Sequence, residues 1–109
     1  MKVYGIVTIM TELELRTVED TPVLNFLVSF TESVGKGESK KTVYHSISAE
    51  LWAGAATYLA SKCRKGDKLY IEGLLRQNRW VDSEGVKHHR NMVRVQNFQL
   101  MSSYEQVEN

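Results

Sequence analysis

The sequence predicts an all-β fold, a five-stranded Greek-key barrel with one short helix between strands 3 and 4. Three observations predict it. Leu24, Phe26, Val28 and Phe30 recur at period two, the signature of a strand with one face turned inward. Only one stretch, Leu51–Cys63, changes to helical spacing. The last third of the chain reads as two long extended segments, Lys68–Trp80 and Val86–Leu100, joined by the turn Asp82-Ser83-Glu84-Gly85.

Taken in order, Lys2–Arg16 reads as a first strand. Val3, Val7 and Ile9 alternate with Tyr4, Ile6 and Met10, so both faces are apolar and burial on both sides is expected. Glu19-Asp20-Thr21-Pro22 is a turn, and Val23–Glu32 returns as the second strand of an antiparallel hairpin. The loop 33–42 carries two glycines and three lysines, and Val43–Ser48 forms the third strand. Ser48 is the expected helix N-cap and Gly66 lies just past the helix end. Small residues such as Ala55, Ala56 and Ala60 let that helix sit close against the strand ends. Strand, strand, strand, helix, strand, strand is the layout of the OB-fold.

Length and composition set further bounds. The chain has 109 residues, enough for one domain (1–101) with a short polar tail (102–109). A hydrophobic fraction of 42% and a charged fraction of 25% are those of an ordinary globular protein. No apolar run approaches the roughly 18 residues needed to cross a bilayer, and no signal segment opens the chain. One cysteine, Cys63, cannot form an internal disulfide, so a cytoplasmic location is expected. The net charge of +1 is unevenly spread: −3 over residues 1–35, +6 over 36–94 and −2 over 95–109. That excludes a wholly basic binder but permits a basic stripe.

The last hairpin is apolar at its base and basic towards its tip, where Trp80 lies among Arg76, Arg79, Lys87 and Arg90. Cations meet phosphates and an exposed ring stacks on a base whatever its identity, so a single nucleic-acid strand is the expected ligand. Arg76, Asn78 and Trp80 share a face at period two; the competing reading of Trp80 is a cross-strand pair with a residue such as His88. Tyr44 is either a stacking platform or core filling, and Trp52 either a platform or a plug for the barrel end. Lys36, Lys40 and Lys41 form a candidate phosphate clamp on the glycine-rich loop. His45, His88, His89 and Cys63 match no metal-ligand spacing. No catalytic constellation stands out, so no enzyme activity, metal or cofactor is expected.

The block Gly66-Asp67-Lys68-Leu69-Tyr70-Ile71-Glu72-Gly73-Leu74-Leu75-Arg76, followed by Trp80-Val81-Asp82-Ser83-Glu84-Gly85, resembles the bacterial single-stranded DNA-binding protein family. Glu14-Leu15-Arg16, Thr21–Asn25, Tyr44-His45 and Tyr58-Leu59 are looser matches. The resemblance implies that Trp80 and Tyr44 occupy base-stacking positions, with Trp52 close to another. It also implies that Arg76, Arg79 and Lys87 line the DNA path and that His45 packs near a subunit interface. Val34 stands where relatives carry a further tryptophan, and Thr8-Ile9-Met10-Thr11 replaces the family's usual first-strand motif. The long tail with an acidic tip, through which relatives recruit replication proteins, is absent. The expected function is binding of single-stranded DNA without marked sequence preference, in replication, recombination or repair, by a homo-oligomer (a tetramer or a dimer) in the nucleoid. The alternative is a replication-restart accessory of the same fold acting mainly through protein partners.

Overall fold

The computed structural model describes residues 1–101; the expected tail, 102–109, lies outside them. The elements are β1 (Lys2–Ile9), β2 (Leu15–Val18), β3 (Thr21–Val34), β4 (Lys41–Trp52), α1 (Ala53–Lys62), β5 (Lys68–Val81) and β6 (Lys87–Leu100). β1 pairs antiparallel with β5, β5 with β6, and β3 with β4. β6 runs parallel to β4 over Met92–Arg94. Thr8↔Ser29 and Ile9↔Val28 then close β1 onto β3, completing a ring of five strands. The helix falls between the third and fourth strands of that ring, so the barrel is the OB-fold that the element order predicts.

The first strand is corrected: Lys2–Arg16 is not continuous. The Thr11 hydroxyl accepts the Leu27 amide at 3.1 Å, taking a donor that a continuing β1 would have used, and the chain leaves the ladder. It resumes as β2, which lies on β3 outside the ring with Leu15 opposite Leu24. Glu19 and Asp20 both take positive φ (49° and 68°) in the two-residue turn into β3.

Burial of β1 on both sides is also corrected. Val7 and Ile9 enter the core, whereas Tyr4 and Ile6 are 75% and 54% exposed on the other face. Phe30, expected inward with Leu24, Phe26 and Val28, is 38% exposed because β3 has by then run past the barrel rim. It stacks on His45 instead, ring centroids 5.2 Å apart.

The third strand is longer than expected, and the helix starts later. Ser48 is not its N-cap; it sits within β4 between Leu27 and Met92. Trp52 holds the N-cap position with no side-chain cap, and Ala53 at φ 59° makes the break from strand to helix. Ala56 and Leu59 are fully buried beneath α1. A methyl group at Ala56 lets the helix axis approach the core, and burying Leu59 contributes about 2 kcal/mol. Beyond Cys63, Gly66 at φ +98° turns the chain, and its amide donates to the Ile9 carbonyl at 2.8 Å. Burial, with Asp67 nearby, pushes the Cys63 thiol above its ordinary pKa, so it is a packed and unreactive group.

Candidate nucleic-acid interface

Paired residues on neighbouring strands point to the same side of a sheet, so the register places every side chain on the barrel's outer or inner face. One outer row reads Arg76 (β5), Met92 (β6), Ser48 (β4), Leu27 (β3). The adjacent row reads Leu74, Arg94, Glu50, Asn25. Further up β5 and β6 the same face carries Asn78 opposite Arg90 and Trp80 opposite His88. The expected grouping of Arg76, Asn78 and Trp80 therefore holds, with Arg90 brought in from the partner strand.

Contacts define that face closely. The Asn78 amide donates to Met92 Sδ at 3.0 Å. Trp80 lies on His88 with centroids 5.4 Å apart and planes 17° from parallel, and the Arg90 guanidinium stands 6.0 Å from the indole centroid. The indole is nonetheless 46% exposed. Its cross-strand partner and its accessible surface coexist, because the ribbon at this height is only two strands wide and has no layer above it.

The turn that holds this pair in register is built by Asp82. Its Oδ1 accepts the amides of Glu84 and Val86, both at 2.9 Å, while Oδ2 meets His88 Nε2 at 2.7 Å. Those contacts, the His88 one largest, hold the Asp82 carboxyl below its ordinary pKa. Gly85 supplies the positive φ of +83° that the reversal requires.

Below the ribbon the outer face forms a concave groove, bordered by Asn78, Arg90 and Met92 on one side and by Arg16, Asn25 and Glu14 on the other. With the Asn25 side-chain amide assigned so that its oxygen faces Arg16, it accepts from Arg16 Nε (3.1 Å) and Nη2 (2.7 Å), which would fix the guanidinium over the groove floor. Glu12, Glu14 and Glu50 also line the groove, so three carboxylates stand there with Arg16 and Arg90, and Arg76 and Trp80 lie beside it. Arg16 and Arg94 belong to this face and were not among the expected site residues. Their signal was parity alone: Arg94 alternates with Met92 and Arg90.

The remaining candidates divide. Tyr44 stands on the outer face of β4, 76% exposed, on the same side as Ser48. Trp52 ends that face: its ring is half-buried, covers the fully buried Val23 opposite, and carries the Arg94 guanidinium 5.2 Å from its centroid. Its indole N–H is buried without a partner among the described residues. Lys36, Lys40 and Lys41 sit exposed around the short 3-10 turn Gly37–Ser39, at the tip of the β3–β4 hairpin and away from the groove lining. Arg79 and Lys87 have the opposite strand parity to Trp80, with His89 and Val81 as their cross-strand partners, yet they line one open pocket with Trp80 and His88 at the ribbon. His45 stacks on Phe30 and meets Glu32 Oε1 at 2.9 Å. Among the described residues no cluster of three metal-ligating side chains forms, and no helix is long and apolar enough to cross a membrane.

A closed barrel capped by one helix, with cations, amides and an open indole along one outer face, defines an OB-fold binding protein. The sequence model of the single-strand binding protein family matches residues 2–101, and the chain belongs to that family. It is 28% identical, over 81% of its length and 67% of the relative's, to single-stranded DNA-binding protein 1 of Xylella fastidiosa. Its fold superposes on the Plasmodium falciparum SSB in complex with ssDNA with a TM-score of 0.81, at 15% identity and over 92% and 93% of the two chains. With a small single-stranded DNA-binding protein from Streptomyces coelicolor the TM-score is 0.72, at 15% identity over 95% and 96% of the two chains.

Proposed function

We propose that the protein binds single-stranded DNA without marked sequence preference, along the outer face of β5, β6 and β4, in replication, recombination or repair in the nucleoid. Family membership supports the ligand class. The observation that carries the site is the convergence of Arg76, Asn78, Trp80 and Arg90 on one face beside the groove. Arg76 and Arg90 neutralise phosphates, and Trp80 and Tyr44 stack on bases at about 1–3 kcal/mol per base. Stacking uses the π-face common to all bases, so it selects unpaired strands over sequences. Titration with oligo-dT, read by tryptophan fluorescence, tests this: quenching that saturates is expected, and an unchanged signal with no shift in mass would overturn it.

The protein acts as a homo-oligomer, proposed as a tetramer. Tyr4 and Ile6 lie exposed on the outer face of β1, opposite Glu72 and Tyr70 and with Leu74 on the diagonal, a largely apolar patch that a second copy would cover. Among the described residues, β1 is paired along Lys2–Val7 at one edge, to β5, and its β3 contact is limited to Thr8 and Ile9. An open strand edge flanked by apolar side chains is the surface that strand pairing between copies uses.

A further inference from the structure

β4 turns one charged side chain onto the floor of the groove. Ala49 and Leu51 are buried in the core, so the pleat holds Glu50 between them on the outer face, where it is half-buried. Its cross-strand partners are Asn25 on β3 and Arg94 on β6, and Ser48 lies two residues back on the same face. A carboxylate partly withdrawn from water is costly unless something pairs with it.

The cations around Glu50 are aimed at other groups. The Arg94 guanidinium stands 5.2 Å from the Trp52 ring centroid, and that of Arg90 stands 6.0 Å from the Trp80 centroid. Arg16 faces Asn25 when that amide presents its oxygen. Among the described residues none of the three forms an ion pair with Glu50. Glu12 and Glu14, on the segment between β1 and β2, add two more negative charges to the groove lining. Like charge repels phosphate from this side, whereas Arg76 and Arg90 stand ready for it next to Trp80. A strand whose backbone follows those two arginines presents its uncharged part, the base edges, to Glu50.

An ionised carboxylate accepts hydrogen bonds and gives none. It therefore sorts bases by the donors on their edges. Cytosine carries the N4 amino group, which a Glu accepts. Uracil and thymine carry O4 at that position, and their one edge donor, N3–H, lies between two carbonyl oxygens that the carboxylate repels.

We propose that Glu50 is a specificity-determining residue, which reads the amino edge of one base in the groove and favours cytosine over uracil or thymine there. The inference rests on the proposed DNA-binding function. It adds one selective position to a surface whose stacking platforms take any base.

The test compares oligo-dC with oligo-dU of about 12 nucleotides, within the site size of an OB fold, by anisotropy of the labelled oligo at neutral pH. The two differ only at position 4 and in the N3 proton, so backbone and ring size are matched. Wild-type protein should bind oligo-dC about fivefold or more tightly than oligo-dU. Glu50→Gln, whose amide both accepts and donates, should bring the two affinities together. Trp80→Ala should weaken both and keep the preference. An oligo of N4,N4-dimethylcytosine, which has no N4 donor, probes the wild-type protein without any substitution and should bind like oligo-dU. Equal wild-type affinities, a preference for oligo-dU, a preference that survives Glu50→Gln, or dimethylated oligo bound like oligo-dC would each overturn the proposal. Wild-type protein that binds none of these oligos would instead sink the underlying DNA-binding reading.

Discussion

Trp80 and His88 face each other across the β5–β6 ribbon with centroids 5.4 Å apart and planes 17° from parallel, yet the indole remains 46% exposed. The pair settles the ring's orientation without burying it. A platform already held flat loses little side-chain entropy when a base arrives. Trp80→Ala should therefore weaken oligo-dT binding by about 1–3 kcal/mol for each base it stacks and leave the salt slope unchanged, since no charge is removed. Trp80→Phe should recover much of the loss. His88→Ala should weaken binding less, by loosening the platform. A Trp80→Ala protein with wild-type affinity and a large fall in melting temperature would make the ring structural.

Arg76 and Arg90 lie on the same face as Trp80, with no carboxylate in ion-pair contact among the described residues. Arg76→Ala/Arg90→Ala protein should lose about 1.4 from the slope of log affinity against log salt, two phosphates at about 0.7 each. Its thermal stability should stay near wild type, because exposed cations without partners contribute little to folding. Binding titrations from low to high salt check both statements.

Acid should loosen the ribbon tip through Asp82. Its carboxyl pKa is lowered in the folded protein, chiefly by His88 and then by the Val86 amide. Its contribution is therefore complete above the ordinary carboxylate pKa and is lost as pH falls through the lowered value. Asp82→Asn keeps an acceptor for the Glu84 and Val86 amides but has no charge to lose. Amide protection at Glu84 and Val86 should fall on acidification of the wild type and vary far less with pH in Asp82→Asn.

Gly73 is buried where β6 carries its irregularity, between the Glu72↔Asn97 and Gly73↔Val95 pairs. A Cβ there would run into the Arg94 carbonyl oxygen and lie 2.8 Å from Val93 Cγ1. Backbone cannot swing aside as a side-chain tip can, so Gly73→Ala should cost about 1–3 kcal/mol. Chemical denaturation measures it, and a neutral result would mean that the β5–β6 ladder slides freely.

The exposed strip on β1 predicts assembly. Ile6→Glu places a charge in a surface that a second copy would bury, so it should shift the mass measured by light scattering towards the monomer. Melting temperature should then become less dependent on protein concentration. A wild-type protein that is monomeric at micromolar concentration would remove this interface.

Much of the fold was legible because it rests on local physics. Period-two alternation in Leu24–Val28 and Leu69–Leu75 requires strands with one buried face, and the helical spacing of Ala56, Leu59 and Cys63 requires a helix over the core. The turn at Asp82–Gly85 is written in residues that tolerate or demand its backbone. Trp80 with Arg76 and Asn78 followed from parity within one strand, which chain order alone determines.

What the sequence could not decide depends on where distant strands stop pairing. Lys2–Arg16 reads as one strand until the Thr11 hydroxyl takes the Leu27 amide, a contact across sixteen residues. Ser48 reads as a cap until β4 is seen to need it between Leu27 and Met92. Arg79 and Lys87 line a pocket with Trp80, but a linear chain does not show that they reach it from the opposite strand parity. Pairing of β5 with β6 sets that register, and loss of the β4 contact above Met92 leaves both faces of the ribbon in water. Alternation along a strand is a local property of the pleat; which face becomes core, groove or open ribbon is set by the neighbouring strands, and that only tertiary structure decides.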